Sequence, residues 1–233
     1  MTSSISHVQK PNPAHDIQTL SPRQTRELVS RYITRLKTLN PFFKQDHDKI
    51  YIPSSLCVPH TNVHVDMLER FNQFLHHPTE RICVLSGNGG AGKSTVLEKI
   101  EHHLIESKSD ILPIRISLAH PRLTNIKTSL MEQTLNYHQF SDQDIQSLQH
   151  KQPPLLILFD AYDETKLAHD LINCVITNDL ITKWPSARFV FTTRSDIFSG
   201  ENMISYFSPR TVHGGMHACL HLEVPGFDES RAL

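Results

Sequence analysis

The sequence predicts an α/β protein in which a mostly parallel sheet carries helices on both faces. Five apolar runs are typical of buried strands: Ile82–Leu85, Leu112–Leu118, Leu155–Phe159, Phe189–Thr193 and Leu220–Val224. Helix-like segments near residues 93–107, 124–149 and 165–183 separate the first four of these runs. Strands that alternate with helices favour a parallel sheet with helical layers. The 233 residues suffice for one core with an appendage.

Composition and charge exclude several classes of protein. The 23 Lys and Arg residues against 24 Asp and Glu residues leave a formal charge of −1, so no overall field attracts nucleic acid or anionic lipid. The four cysteines are far apart in the sequence and read as reduced thiols. No apolar run approaches the roughly 20 residues that cross a bilayer. We therefore expect a cytoplasmic protein with no membrane span and no nucleic-acid partner.

The N-terminal part predicts an extension to the core. Residues 1–20 are polar and predict a disordered tail, and residues 21–50 predict a helical extension. Ser21-Pro22 is a helix start signal, and Asn40-Pro41 ends the apolar periodicity that follows it. Residues 42–61 predict irregular structure, and Val65–Leu75 predicts a second amphipathic helix.

A glycine-rich segment after the first predicted strand indicates a phosphate-binding loop. Four of the eight glycines lie within Gly87-Asn88-Gly89-Gly90-Ala91-Gly92-Lys93-Ser94, which fits G-x-x-x-x-G-K-[ST]. Such a loop points successive backbone N–H groups at a polyphosphate, and the following helix adds its positive dipole end. We expect Lys93 to contact the β- and γ-phosphates and the Ser94 hydroxyl to bind Mg²⁺. The candidate nucleotide-binding residues are Gly87, Asn88, Gly89, Gly90, Ala91, Gly92, Lys93, Ser94 and Thr95.

Acidic residues follow the third predicted strand. Asp160 ends this strand, where open α/β sheets bind ligands, and is the candidate second metal residue beside Ser94. Glu164, or alternatively Asp163, lies one turn further on and is a candidate to orient or deprotonate an attacking water. The alternative is a strand that ends in a polar, solvated turn.

The fourth predicted strand ends in hydroxyl groups and a guanidinium, in the sequence Thr192-Thr193-Arg194. An always-charged Arg194 beside the phosphate loop is a candidate sensor of the γ-phosphate. The alternative is that Arg194 pairs with Asp196 or with another surface acid.

These motifs, in this order, resemble the NACHT family of signal-transduction NTPases, within the STAND and AAA+-like P-loop proteins. The most specific match is Asp160-Ala161-Tyr162-Asp163-Glu164. The resemblance implies a three-layer α/β/α P-loop domain over residues 51–233, with five parallel strands in the order 5-1-4-3-2. It also implies Mg²⁺ ligation by Ser94 and Asp160, and catalytic roles for Lys93, Asp163, Glu164 and Arg194. Because the sequence stops at Leu233, it implies a chain truncated after the nucleotide-binding core.

The resemblance implies Mg²⁺-dependent binding of ATP or GTP, with ATP favoured, and slow hydrolysis that serves as a signalling switch. Self-association or a partner protein bound through the N-terminal helix is a further expectation. One alternative is a nucleotide-binding interaction module that does not hydrolyse. A less favoured alternative is a small-molecule kinase.

Overall fold

A computed structural model describes residues 55–61, 63–107, 109–197, 206–208 and 219–226, together with Arg23, Glu27 and Ser30. Those three isolated residues are helical, and the Arg23 and Glu27 side chains form an ion pair at 3.2 Å. The predicted tail over residues 1–20, and the rest of the predicted extension over residues 21–50, lie outside the described residues. They stay predictions.

The strands and helices alternate along the chain as the sequence predicts. Their order is β1 (Ser55–Cys57), β2 (His64–Asp66), α1 (Met67–His76), β3 (Ile82–Gly87), α2 (Lys93–Glu106), β4 (Leu112–Ser117), α3 (Leu130–Tyr137), α4 (Asp142–Lys151), β5 (Leu155–Asp160), a 3₁₀ turn (Tyr162–Glu164), α5 (Lys166–His169), α6 (Cys174–Thr177), α7 (Leu180–Lys183), β6 (Ala187–Arg194) and β7 (Cys219–Glu223). Each of the five predicted apolar runs forms a strand, because a run buried on both faces suits the interior of a parallel sheet.

The strands form one sheet, which has seven strands among the described residues, in the order β2-β1-β7-β3-β6-β5-β4. The α/β class and the mostly parallel sheet are confirmed. The prediction of five strands was wrong in strand count and therefore in the order of the whole sheet. The difference is confined to one edge, where β1 pairs antiparallel with both β2 and β7. The neighbours β7-β3-β6-β5-β4 are all parallel to one another.

In the hairpin of β1 and β2, β1 lies where irregular structure was expected, and β2 includes Val65, where the second amphipathic helix was expected to begin; that helix begins at Met67 instead. Each strand has only three residues, and β1 is joined to β7 by the single pair Cys57 and Glu223. Three residues are too few for the alternation of apolar and polar side chains to be visible in a sequence. The pairing of the two strands with each other, and of β1 with the remote β7, decides that this segment is extended.

Helices cover both faces of the sheet. Alternate side chains of each strand point to opposite faces, so Val84 and Phe191 join one buried core whereas Leu85 and Val190 join the other. The first core lies against α3 to α7, and the second lies against α1 and α2. This three-layer arrangement buries the parallel strands and leaves their carboxyl ends at one edge of the sheet.

Two of the predicted long helical stretches are divided. The stretch near 124–149 forms α3 and α4, separated by a turn in which Gln139 has a φ of 63° and Ser141 caps α4 in a reciprocal capping box. The stretch near 165–183 forms three short helices, with breaks at Leu171 and Asp179, whose φ angles are 51° and 49°. Left-handed backbone at residues other than glycine is not visible in a helical pattern, so sequence periodicity missed these breaks.

Candidate functional site

The glycine-rich loop joins the end of β3 to the start of α2, as predicted. Gly90 and Gly92 have positive φ angles of 76° and 92°, a region that glycine enters at little cost. Gly87 needs its small size for another reason, because a Cβ there would lie 3.0 Å from the carbonyl oxygen of Val224 on the neighbouring strand segment. The loop is therefore shaped by two backbone turns and one close approach.

The remaining loop residues divide into a buried anchor and an exposed rim. Ala91 is buried in the core beneath α2. Its N–H donates to the Asn88 carbonyl at 3.2 Å, which closes the turn. Asn88, Gly89 and Gly90 are exposed, and no atom lies within 4 Å of a Cβ built on Gly89 or Gly90. An open rim of backbone of this kind leaves room for a ligand.

The Lys93 side chain folds back over the loop. Its Nζ donates to the carbonyl oxygens of Gly87 at 2.7 Å and Asn88 at 2.9 Å. Desolvation by burial lowers the pKa of Lys93, although the nearby carboxylates of Asp163 and Asp160 oppose this shift. The ammonium group is thus held inside the loop by neutral carbonyls, which a phosphate group can replace at a gain in charge pairing.

The Ser94 hydroxyl and the Asp160 carboxylate meet at the end of the sheet. Ser94 Oγ donates to Asp160 Oδ1 at 3.1 Å, and Thr192 Oγ1 donates to the same oxygen at 2.7 Å. Asp160 is buried, whereas Ser94 is exposed. Two hydroxyls from other elements therefore hold one carboxylate beside the phosphate loop.

The oxygen groups of Ser94 and Asp160 fit a magnesium ion. Mg²⁺ prefers oxygen ligands and is usually held through one or two protein groups together with phosphates and waters. Among the described residues, no group of three or more His, Cys, Asp and Glu side chains is suited to a metal ion. A site of one hydroxyl and one carboxylate, which the phosphates of a nucleotide would complete, agrees with both observations.

The two candidate acids for hydrolysis have different environments. Asp163 is buried, with 8% exposure, and Glu164 is exposed. Burial raises the pKa of Asp163, and the positive charges of Lys93 and Arg194 oppose that shift. The structure therefore brings the buried Asp163 carboxylate into the field of the two cations.

Arg194 pairs with Asp196, which was the alternative considered for it. Arg194 Nη2 lies 2.6 Å from Asp196 Oδ2, and Arg194 Nε donates to Asp196 Oδ1 at 3.0 Å. This hydrogen bonding raises the pKa of Arg194 and lowers that of Asp196. Arg194 is nevertheless beside the loop, since it is in register with Gly87 in the pairing of β6 with β3.

Sequence reasoning missed one residue that contacts this site and one that supports the helix after the loop. Thr192 was seen only as part of a polar strand end, and Glu101 on α2 was not considered. Glu101 Oε2 accepts a hydrogen bond of 3.0 Å from Arg115 Nε, and this ion pair ties the helix that follows the loop to β4. A glutamate at an apolar position of the α2 pattern was a usable signal, because a buried carboxylate needs a partner.

Comparisons with known proteins give the family. A model of the NACHT domain matches residues 81–233, the larger part of the chain. The chain belongs to the NACHT domain family. The matched part of this NACHT domain includes every candidate site residue from Gly87 to Arg194, whereas β1, β2 and α1 precede it. As a member of this family it is a nucleotide-binding NTPase domain.

Among solved structures, PCH-2 from C. elegans is similar to this NACHT domain, with 14% sequence identity and a TM-score of 0.37. The likeness covers 68% of this chain and 40% of PCH-2, so the NACHT domain corresponds to less than half of that protein's length. No curated protein matches the sequence. Within the part of the chain that the structure describes, no helix is both long and apolar enough to cross a bilayer.

Proposed function

We propose that this NACHT domain binds a nucleoside triphosphate together with Mg²⁺ and hydrolyses it slowly to the diphosphate, as a signalling switch. ATP is favoured over GTP. The observation that carries the proposal is the 3.1 Å contact between Ser94 and Asp160, with Lys93 Nζ held inside the same loop. The Lys93 ammonium, the Ser94 hydroxyl and the Asp160 carboxylate therefore all lie at the same loop.

The positions of Lys93, Ser94 and Asp160 suggest a role for each of them in nucleotide binding. Lys93 exchanges the carbonyls of Gly87 and Asn88 for phosphate oxygens, and the N–H groups at the start of α2 face the same charge. Ser94 and Asp160 would hold Mg²⁺, which would neutralise charge on the phosphates. Phosphoryl transfer then depends mainly on positioning and on stabilisation of charge.

Hydrolysis also needs a water that is oriented for attack. Asp163 is buried in the field of Lys93 and Arg194, and Glu164 is exposed to solvent, where it can face an incoming water or a second subunit. We propose that one of these two acids orients the water. Arg194 would stabilise the γ-phosphate once it leaves Asp196.

The pair between Arg194 and Asp196 favours one alternative, a module that binds nucleotide without hydrolysing it. In that case the nucleotide stabilises the fold by mass action while another surface recruits a partner. We also propose recruitment of a partner, or self-association, through residues 21–50, of which the structure describes Arg23, Glu27 and Ser30 alone.

Single-turnover hydrolysis tests the proposal. The purified domain is first denatured, and any nucleotide released is identified by chromatography. Labelled ATP and GTP are then mixed with excess wild-type protein and with the Glu164→Gln and Asp163→Asn variants, with no phosphate acceptor added. Loss of the acid that orients water should slow release of phosphate by about 100-fold or more. Glu106→Gln, at the exposed end of α2, is the matched control.

The outcomes separate the candidate functions. Phosphate release by the wild type, lost in one of the two acid variants and kept in Glu106→Gln, supports the switch. Tight binding with equal, near-zero rates in all four proteins favours the module that only binds. Hydrolysis that depends on an added acceptor favours the kinase.

A further inference from the structure

We infer that Thr192 is a positioning residue that fixes the carboxylate of Asp160 for metal-linked nucleotide binding. The inference rests on the proposed function and adds to it a residue on β6, whereas the proposed metal ligands lie on α2 and β5. Thr192 lies near the end of β6 and is fully buried.

The hydrogen bonds of Thr192 leave its hydroxyl no freedom. The Ala161 N–H donates to Thr192 Oγ1 at 2.8 Å, and Thr192 Oγ1 lies 2.7 Å from Asp160 Oδ1. A threonine hydroxyl has a single proton. Because an ionised carboxylate only accepts, that proton is directed at Asp160. The two hydrogen bonds therefore run in one direction, from the Ala161 N–H to the Thr192 hydroxyl and from that hydroxyl to the Asp160 carboxylate.

The backbone explains why a side chain is needed at this point. The ladder between β5 and β6 ends at the pair Phe159 and Phe191. Ala161 then turns into the left-handed region, with a φ of 59°, so the chain leaves the strand at this residue. The Thr192 hydroxyl accepts the Ala161 N–H at this turn. One side chain thus fixes both the turn after β5 and the carboxylate just before that turn.

Thr192 and Ser94 differ in what else they can do. Both donate to the same Asp160 oxygen. Ser94 is the proposed metal ligand, so its hydroxyl must be able to turn away from Asp160. Thr192 has no second task, because its oxygen already accepts from Ala161. We therefore assign Thr192 as the permanent donor to Asp160 and Ser94 as the exchangeable one.

A role in packing alone predicts the opposite response to substitution. Thr192→Val keeps the shape of the side chain and removes the hydroxyl, whereas Thr192→Ser keeps the hydroxyl and removes a methyl group. If Thr192 only fills space, the valine variant is the milder one. If it positions Asp160, the serine variant is the milder one.

Thr193→Val is the matched control. Thr193 is the next residue on β6 and is equally buried, but its hydroxyl lies 3.5 Å from the Arg194 carbonyl and makes no bond to Asp160. The substitution is chemically identical and only one position away. Asp160→Asn is the reference for complete loss of the carboxylate charge.

The test measures the affinity for fluorescent mant-ATP and mant-GTP by titration, once with Mg²⁺ and once with EDTA. The dissociation constant in EDTA divided by that in Mg²⁺ measures how much the metal ion contributes to the affinity. We expect Thr192→Val to reduce this ratio by about tenfold, as for other residues that orient a metal ligand, and to leave the affinity in EDTA near that of the wild type. Thr192→Ser and Thr193→Val should keep the wild-type ratio.

Each outcome decides the inference. If Thr192→Val keeps the wild-type ratio, or if Thr193→Val loses as much of it, Thr192 does not position Asp160, although the proposed function stands. If the wild type binds neither nucleotide, both the proposed function and the inference that rests on it are overturned. If the valine variant does not fold, the pair Thr192→Ala and Thr192→Ser repeats the comparison, since these two side chains differ by one oxygen atom. Equal ratios in that pair overturn the inference.

Discussion

Ser94 and Asp160 are 66 positions apart in the sequence, and their side chains are joined by a hydrogen bond of 3.1 Å. Ser94 lies in the first turn of α2, directly after the loop, and Asp160 ends β5, two strands away from β3. The strand between them, β6, contributes Thr192 to the same carboxylate. Because the strands are parallel, their polar carboxyl ends meet at one edge, where a charged ligand can be held.

Lys93→Ala should abolish triphosphate binding. Lys93 Nζ is the cation that occupies the loop, and charge-assisted hydrogen bonds contribute about 1.5–3 kcal/mol each. We expect the affinity to fall by at least about 100-fold in calorimetric titration. Lys99→Ala, on the same helix, is the control. Equal affinities for these two variants would refute the role of Lys93.

Asp196→Asn should raise the affinity for triphosphate. The substitution removes the charge that pairs with Arg194 and so frees the guanidinium for a γ-phosphate. Because the pair is exposed, we expect only a two- to fivefold gain, which shrinks at high salt, and no gain for diphosphate.

The control for Asp196→Asn is Asp170→Asn, which breaks a comparably exposed pair at 3.0 Å with Lys127 that involves no candidate site residue. The measurement is a titration with a non-hydrolysable triphosphate at two salt concentrations. A gain of the same size in both variants would show that the effect reflects net charge and not release of Arg194.

Glu101→Ala should destabilise the domain. Glu101 is fully buried on α2 and is bound to Arg115 at 3.0 Å, and burial raises its pKa while the guanidinium opposes the shift. Removal of one partner leaves the other without its counter-charge, at a cost of about 3 kcal/mol in the free energy of unfolding.

Urea unfolding measures this cost. Glu98→Ala is the matched control, because Glu98 lies 4.0 Å from the same guanidinium but is partly exposed, and it should cost less than about 1 kcal/mol. Replacing Glu101 and Arg115 together by leucine should recover most of the loss. Similar costs for the two single glutamate variants would mean that burial of the pair is not decisive.

Stability should fall as the solution is acidified, in part through His221. Burial lowers the pKa of His221 to about 4 from an ordinary value near 6.5, and its Nε2 lies 2.9 Å from Ser86 Oγ. The folded state therefore favours the neutral ring. The resulting stability is present above about pH 6.5 and is lost as the pH falls towards 4, with a total of about 2 kcal/mol for this half-buried group.

The measurement is the free energy of unfolding at several values between pH 7 and pH 4. His221→Gln should flatten the pH dependence, because it removes the titrating group from β7. His76→Gln, on the exposed side of α1, should not. The same slope in both variants would exclude His221 as the source.

Much of the site was predictable because its parts are local. The G-x-x-x-x-G-K-[ST] pattern needs only eight consecutive residues, and the apolar run that ends in Asp160 identifies a strand and its polar end. The residue types in each motif indicate the chemistry for which it is suited. The parallel sheet follows from the alternation of such runs with helical segments.

Other features were not predictable because no local pattern in the sequence marks them. The strands β1 and β2 pair with each other, and β1 also pairs with the remote β7, but three residues are too few to show a strand pattern. The breaks at Leu171 and Asp179 need left-handed backbone, and no glycine at these positions indicates it in the sequence.

The sequence by itself determined the groups that we propose for nucleotide binding by this NACHT domain: a glycine-rich loop with a lysine and a serine, and an acid at the end of a buried strand. Only the tertiary structure decided that Thr192 donates to that acid, that Asp163 is buried while Glu164 is exposed, and that Arg194 pairs with Asp196. The physical reason is the separation along the chain of the residues that determine each feature. Buried helices and strands show a periodic pattern of apolar residues along the chain. A hydrogen bond between side chains on different strands depends instead on strand register and turn geometry, which no local pattern encodes.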